Sequence, residues 1–385
     1  MAKNKGYNLI KRGLSKPSKI PNYLLNTCKL NLGDIINRIY IMKQNKDKNK
    51  ILAVWDFNER TGSIGEMIFF LEVLSILRFI FKIDKFQRNI DLCFINDNSK
   101  KSKFENNNKT YDWKKTIMDT SMANPHINST FYFRSASEFN AFYRNNKSSY
   151  LIWPPLTFSI PYDNRMIMDF HEKNKFIPHL ALPKEILTKI YMFYENKIYP
   201  SKPIVINIRN NLKRGIARNS KINEIYSFLK YYEKNKSYKF IITCNRQEFP
   251  SEFCKFKHVF FSKDYFDGIE YDLGLIDTSY ISIFPSSGTA IFAYVSGIPF
   301  IQYGLHGSGK YSSCFYKDKF FSMYKDKRVK TLNYLKEYQR VFYKEEECSW
   351  LISRFEELAD YLNKNNINNN LKKFVKDDLK YESDF

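Results

Sequence analysis

Cysteine is the first thing this chain is short of. Six are scattered along it (Cys28, Cys93, Cys244, Cys254, Cys314 and Cys348), and no two form a C-x-x-C pair. Thiolate zinc sites and disulfide frameworks need patterned cysteines, so neither is expected, and a reducing cytoplasm suits the chain. Long apolar runs are missing too. The longest, from Met67 to Ile83, carries Glu72 and Arg78, which makes it too short and too charged to cross a bilayer. The basic start, M-A-K-N-K-G-Y-N-L-I-K-R, leads into no apolar stretch of the secretory kind. No helix-turn-helix, zinc-finger or RNP pattern is present, which ranks nucleic acid below other partners. Gly307-Ser308-Gly309-Lys310 is followed by Tyr311, which breaks the G-x-x-x-x-G-K-[ST] spacing and argues against a P-loop ATPase. Acidic residues are the last shortage: 40 against 62 Lys and Arg, for a net charge of +22. A basic surface favours anionic partners, and nucleotide-linked substrates or an anionic membrane surface rank first among them.

What is present is enough apolar material for a full core. Hydrophobic residues make up 43% and aromatics 17% of 385 residues, which excludes global disorder and suits two α/β domains. Residues 1–48 form a basic, weakly patterned extension. In 49–180, Ile51 to Phe57 reads as a buried strand, Asn58 to Gly65 as a polar loop and Glu66 to Phe81 as an apolar helix. Ile90 to Ile95 is the next strand. The polar stretch 97–111 reads as an exposed insertion. Trp113 to Ala123 follows as a helix, Ser129 to Arg134 as a strand, and Ile152-Trp153-Pro154-Pro155 as a rigid extended element. Residues 181–202 contain a linker helix, Leu182 to Tyr199. A second series fills 203–345: strands at Pro203 to Ile208, Lys239 to Thr243 and His258 to Phe261, with a helix over Asn223 to Lys234. Residues 346–385 hold an amphipathic helix, Cys348 to Leu362, and a charged tail. The fold class expected is α/β, with two Rossmann-like domains facing across a cleft.

The most telling stretch runs from Asp277 to Gly304. Tyr280 to Phe284 reads as a strand, Pro285-Ser286-Ser287-Gly288-Thr289 as a turn, Ala290 to Ser296 as a helix, and Phe300 to Tyr303 as another strand. Ser286, Ser287, Gly288 and Thr289 would then offer hydroxyls and free N–H groups at a helix start, which suits a diphosphate. The plain structural reading makes Ser286 an N-cap and Gly288 a packing residue. Arg209 falls at the carboxyl end of the first strand of the second series, and Arg214 and Arg218 follow on a glycine-bearing loop. Arginine's planar fork matches phosphate, although a solvated basic loop would look similar. Asn245 and Arg246, after the next strand, are placed to meet a base or ribose. Asp56, Glu59 and Glu66 are the carboxylates of the first loop and the candidates for a general base, each with a structural role open to it. His306 lies on a flexible loop at the same edge and is either a ligand contact or simply exposed.

Arg218-Asn219-Ser220, the P-S-S-G turn with the G-I-P-F strand after it, and V-W-D-F…G-E-M-I-F-F-L together resemble GT-B glycosyltransferases. The nearest likeness is to bacterial surface-polysaccharide (capsule or O-antigen) transferases, over roughly residues 50 to 305. The resemblance implies a nucleotide-sugar donor held mainly by the C-terminal domain and a glycan or glycolipid acceptor held by the N-terminal one. It also implies no cofactor and no metal. Ser286 to Thr289 would hold the donor diphosphate, with Arg209 or Arg218 neutralising it. A cytoplasmic enzyme, peripheral on the inner membrane face, would follow. A sugar-nucleotide epimerase or hydrolase of similar fold, and a non-catalytic nucleotide- or glycan-binding protein, are the alternatives.

Overall fold

The computed structural model describes residues 48–60, 63–83, 88–97, 112–154, 163–210, 219–304, 332–342 and 344–367. They build two separate sheets in which every strand pair is parallel. The first holds β1 (Lys50–Asp56), β2 (Ile90–Ile95), β3 (Ile127–Phe133) and β4 (Tyr150–Trp153), in the order β3-β2-β1-β4. The second holds β5 (Lys202–Asn207), β6 (Tyr238–Thr243), β7 (Val259–Phe261), β8 (Ile281–Phe284), β9 (Phe300–Gln302) and β10 (Gln339–Val341), in the order β10-β9-β8-β5-β6-β7. In each sheet the chain starts inside, steps outward over two strands, then returns to the other flank of its first strand. That is the doubly wound Rossmann order, and its switch points fall between β1 and β4 and between β5 and β8.

Parallel strands are covered on both faces, so they read as continuous apolar runs. β2 is buried along its whole length and β5 at every residue after Lys202. The helices are α1 (Ile64–Ile80), α2 (Trp113–Thr120), α3 (Ala136–Asn146), α4 (Asp163–Asn174), α5 (Lys184–Phe193), α6 (Ile222–Tyr231), α7 (Ile269–Asp277), α8 (Ala290–Ser296) and α9 (Cys348–Lys364). α1 is apolar nearly all round, as a helix enclosed on all sides must be. It packs on α2, α4 and, from the second unit, α8. One apolar cluster therefore runs through both units, joining Trp55, Phe70 and Leu74 to Phe284, Phe292 and Val295.

The expected linker helix is α5, entered through Pro183 and closed by one π-turn over Tyr194–Ile198. It seats on α7 because Gly274 has no side chain: a Cβ there would lie 2.5 Å from Ile190 Cδ1. α9 returns to cover the second sheet, placing Leu351, Phe355 and Leu358 against the cluster of Phe228, Phe240 and Ile242. The helix expected over Trp113 to Ala123 tightens to 3₁₀ geometry at Ser121–Ala123. The Ile152-Trp153 element is the second half of β4. The extension 1–47, the insertion at 98–111 and the tail from 368 lie outside the described residues.

Candidate functional site

Ile206 of β5 pairs in register with Ile283 of β8. Arg209 and Ser286 each stand three residues beyond that pair, so both sit at strand carboxyl ends flanking the switch point. The loop after β5 is closed at its neck: Ser220 N–H donates to Arg209 O (2.7 Å), and Arg209 N–H donates to Ser220 Oγ (3.2 Å). Asn219 enters that neck. Arg214, Arg218 and His306 lie outside the described residues.

After β8, Pro285 is buried, Ser286, Ser287 and Gly288 are half-buried, and Thr289 is buried. Thr289, not Ser286, is the N-cap of α8, and no side chain caps that end. Ser287 Oγ and Thr289 Oγ1 lie 3.1 Å apart and share a hydrogen bond. α8 has seven residues, so its macrodipole is small. The turn's own N–H groups and hydroxyls supply most of what this end can offer an anion.

Gly288 is where the two units meet. A Cβ on it would lie 3.0 Å from Gly65 N and 3.3 Å from Ile64 Cβ; a Cβ on Gly65 would lie 2.9 Å from Ile291 Cγ1. These two glycines let the first turn of α1 and the turn after β8 come this close. Asp56 ends β1 on the first unit's side of that seam. Its Oδ1 accepts from Asn58 N–H (2.8 Å) and Asn58 Nδ2 (3.2 Å), while its carbonyl accepts from the N–H groups of Glu59 and Arg60. That turn fixes the Asp56 carboxylate. Glu59 is exposed, and Glu66 is half-buried in the first turn of α1. Arg60, which sequence reading passed over, is buried with its guanidinium over the rings of Trp55 (4.7 Å) and Phe70 (4.5 Å). Asp56, Arg209 and the Ser286–Thr289 turn thus each stand at a strand's carboxyl end, the edge at which the Gly65–Gly288 contact joins the two units.

Asn245 and Arg246 are exposed at the carboxyl end of β6. Arg246 is engaged there already, donating to Lys263 O and lying 3.7 Å from Asp264 and 3.4 Å from Asp267. It braces the loop after β7 and is less available to a ribose than sequence position suggested.

Glu346 was not legible in the sequence, because it hides in the charge run Lys344-Glu345-Glu346-Glu347. It is buried, accepting from Lys221 N–H at the start of α6 and from Tyr303 Oη at 2.5 Å. It therefore ties the neck of the Arg209 loop to the end of β9. Burial pushes its carboxyl up to about 7 from an ordinary 4.5. Between those values the folded chain keeps a proton that the unfolded chain has released. This group's contribution to stability therefore falls as pH rises through that window, by up to about 1.4 kcal/mol per unit. Glu346→Gln should flatten the stability–pH curve over that window. Urea midpoints taken at several pH values check it, and an unchanged slope refutes it.

No protein-family description matches the chain, and no curated protein sequence does. Solved structures do resemble it. One is the glycosyl transferase family 9 protein from Veillonella parvula, at 12% identity, covering 82% of this chain and 98% of that one, with a TM-score of 0.46. Another is the E. coli ADP-heptose LPS heptosyltransferase II, at 11% identity over 69% and 87%, with a TM-score of 0.44. A third is the E. coli heptosyltransferase WaaC with ADP, at 9% identity over 80% and 99%, also with a TM-score of 0.44. Likenesses this distant carry no activity across to this chain. Its own sheet edges have to supply the argument.

Proposed function

We propose that the chain is a glycosyltransferase that moves a sugar from a nucleotide-sugar donor to a glycan or glycolipid acceptor in surface-polysaccharide synthesis, without a metal. The observation that carries this reading is the seam at Gly65 and Gly288, which sets the start of α1 against the turn after β8, the strand next to the one that Arg209 follows. In doubly wound sheets ligands bind outside the strand carboxyl ends at the switch points, and here that contact joins two such edges. The second unit takes the donor. Ser286 to Thr289, Arg209 and the Arg218-Asn219-Ser220 segment bind the diphosphate and stabilise it as it leaves, the task that a metal performs elsewhere. The first unit takes the acceptor. Asp56, held by its Asx turn at a strand end, accepts the proton of the acceptor hydroxyl. The acceptor oxygen bonds to the anomeric carbon, the bond from that carbon to the phosphate oxygen breaks, and the nucleoside diphosphate departs with its electron pair. Glu59 and Glu66 are the other carboxylates within the loop.

Nucleoside diphosphate release, followed with and without a crude glycolipid acceptor, tests the reading. Acceptor-dependent release supports transfer, acceptor-independent turnover identifies an epimerase or hydrolase, and binding without turnover a non-catalytic protein. Arg209→Ala and Ser287→Ala should each weaken donor binding about ten- to hundredfold, the loss of a hydrogen bond to a charged phosphate. Calorimetric titration checks this, and unchanged affinity in folded variants moves the donor site elsewhere.

Peripheral attachment to an anionic membrane face belongs to the same proposal. No helix among the described residues is long and apolar enough to cross a membrane. Net charge +22 supports surface attraction, as do exposed Phe79 and Phe176 beside exposed Lys82 and Lys175. Each Lys or Arg near such a surface is worth about 1 kcal/mol. Vesicles rich in anionic lipid should sediment the protein at low salt and release it at high salt; indifference to them at low salt removes this part of the proposal.

A further inference from the structure

A row of stacked rings crosses the first sheet just short of its carboxyl edge. Trp55, Phe94 and Tyr132 are in register across β1, β2 and β3. Phe57, the residue after Asp56, stacks on Phe94 at 5.3 Å and 9°. Phe94 stacks on Tyr132 at 5.8 Å and 18°. Trp113, opening α2, closes the inner end edge-on to Phe57 at 5.4 Å. The outer end is open. β3 is an edge strand, and Tyr132, with Phe94 stacked on one side, remains 61% exposed.

An exposed tyrosine on an edge strand is unremarkable by itself. Its surroundings are what mark this one. Asp119 of α2 is a charge neighbour of Tyr132 and also of Glu270, in the first turn of α7 of the second unit. Lys115 pairs with Asp119 at 2.6 Å and is also a charge neighbour of Glu270. α2 packs against α7, so the ring's open side adjoins the line where the two units meet. Lys114, in the first turn of α2, donates to Asn96 Oδ1 at 2.8 Å beyond the end of β2. An exposed aromatic face with the Lys115–Asp119 ion pair beside it has the chemistry of a pyranose subsite. A sugar ring presents C–H groups on one face, which meet the negative face of an aromatic ring, and hydroxyls around its rim, which need donors and acceptors.

We propose that Tyr132, backed by Phe94 and Phe57 and neighboured by the Lys115–Asp119 pair, is a sugar-stacking subsite for the acceptor glycan. The row leads inward from that ring to Phe57 at the carboxyl end of β1; Asp56, its neighbour in sequence, turns to the other face of the sheet. A sugar on Tyr132 is therefore a unit of the acceptor set back from the hydroxyl that reacts, and it anchors the chain rather than taking part in the bond change. This rests on the glycosyl-transfer reading for the word acceptor; the subsite itself does not.

The test uses the full chain and a panel of methyl α- and β-glycopyranosides of glucose, galactose, mannose and N-acetylglucosamine, read by saturation-transfer NMR. At least one glycoside should receive transfer, strongest at the ring C–H protons of one face. Tyr132→Ala should weaken its binding about tenfold, the loss of one stacked face. Tyr132→Phe should leave it unchanged, because the ring and not the hydroxyl does the holding. Tyr132 is exposed enough for both variants to fold, which circular dichroism confirms. No transfer from any glycoside, or transfer that survives Tyr132→Ala, overturns the proposal. Nucleotide sugars titrated into the same samples separate the two readings. Donor binding with no Tyr132-dependent glycoside signal removes the subsite and spares glycosyl transfer. Tyr132-dependent glycoside binding with no affinity for any nucleotide sugar keeps the subsite and removes glycosyl transfer.

Discussion

Asp56→Asn should lower turnover by about 10²–10⁴-fold, the usual contribution of a positioned general base, while donor affinity stays near that of the wild type. The substitution is nearly isosteric and keeps the oxygen that accepts from Asn58 N–H and Asn58 Nδ2, so the turn after β1 should survive. What disappears is the second carboxylate oxygen's capacity to accept a proton. An interaction of that kind is used at the transition state, not in the donor complex, so the loss falls on kcat and kcat/KM together. Glu59→Gln is the companion measurement. Glu59 is exposed on the same loop, and a several-fold effect at most is expected. If Asp56→Asn folds, binds donor and transfers at the wild-type rate, the base lies elsewhere or the reaction does not use one. If Glu59→Gln carries the large loss instead, the roles of the two carboxylates are exchanged.

Much of the fold could be read before any coordinates. Strands such as β2 and β5 are mostly apolar because both faces are covered, with Asp91 the buried exception in β2 and Lys202 and Asn207 at the ends of β5, and a period-free apolar run marks them. α8 begins and ends where the turn P-S-S-G-T and Gly297 place it, and Gly297 takes the left-handed φ of 76° that a helix stop of this kind needs. α3, α4 and α7 were missed for a common reason: each is a short helix of mixed polarity whose apolar side is set by what packs on it. α7 shows this well, because Gly274 in its middle looks like a helix breaker and is in fact the contact for Ile190.

The candidate site was legible only in part. Residues at strand carboxyl ends (Asp56, Arg209 and Ser286) could be placed from topology alone, since the doubly wound order dictates where such ends gather. Side chains that act by bracing could not. Glu346 reaches Lys221 across 125 residues of sequence, and Arg60 is held by two rings rather than by a motif. Phe57, Phe94 and Tyr132 each read as one more core aromatic, and only the parallel register of three strands lines them up.

Gly288→Ala should cost activity out of proportion to the size of the change. The added carbon would face backbone, Gly65 N at 3.0 Å, and the fixed Cβ of Ile64 at 3.3 Å. Neither can rotate away, so the turn after β8 and the first turn of α1 must give by a few tenths of an ångström. A displacement on the order of 1 Å at a reacting centre costs about a hundredfold in rate, so a shift of this size should cost roughly several-fold, and overpacking of this kind costs about 1–3 kcal/mol of stability. Gly65→Ala meets a different neighbour. Its Cβ would press on Ile291 Cγ1 at 2.9 Å, a side-chain atom that can move by a rotamer change or be trimmed. Gly65→Ala should therefore lose less activity, and pairing it with Ile291→Ala, which removes Cγ1, should recover part of the loss, whereas Ile291→Ala should do nothing for Gly288→Ala. Turnover with a saturating donor, read beside thermal midpoints, distinguishes a displaced site from a weakened fold: Gly288→Ala is expected to lose far more in kcat than its shift in midpoint accounts for at the assay temperature. A Gly288→Ala protein that transfers sugar at the wild-type rate would show that the seam is packing alone, and that donor and acceptor meet at some other edge of the two sheets.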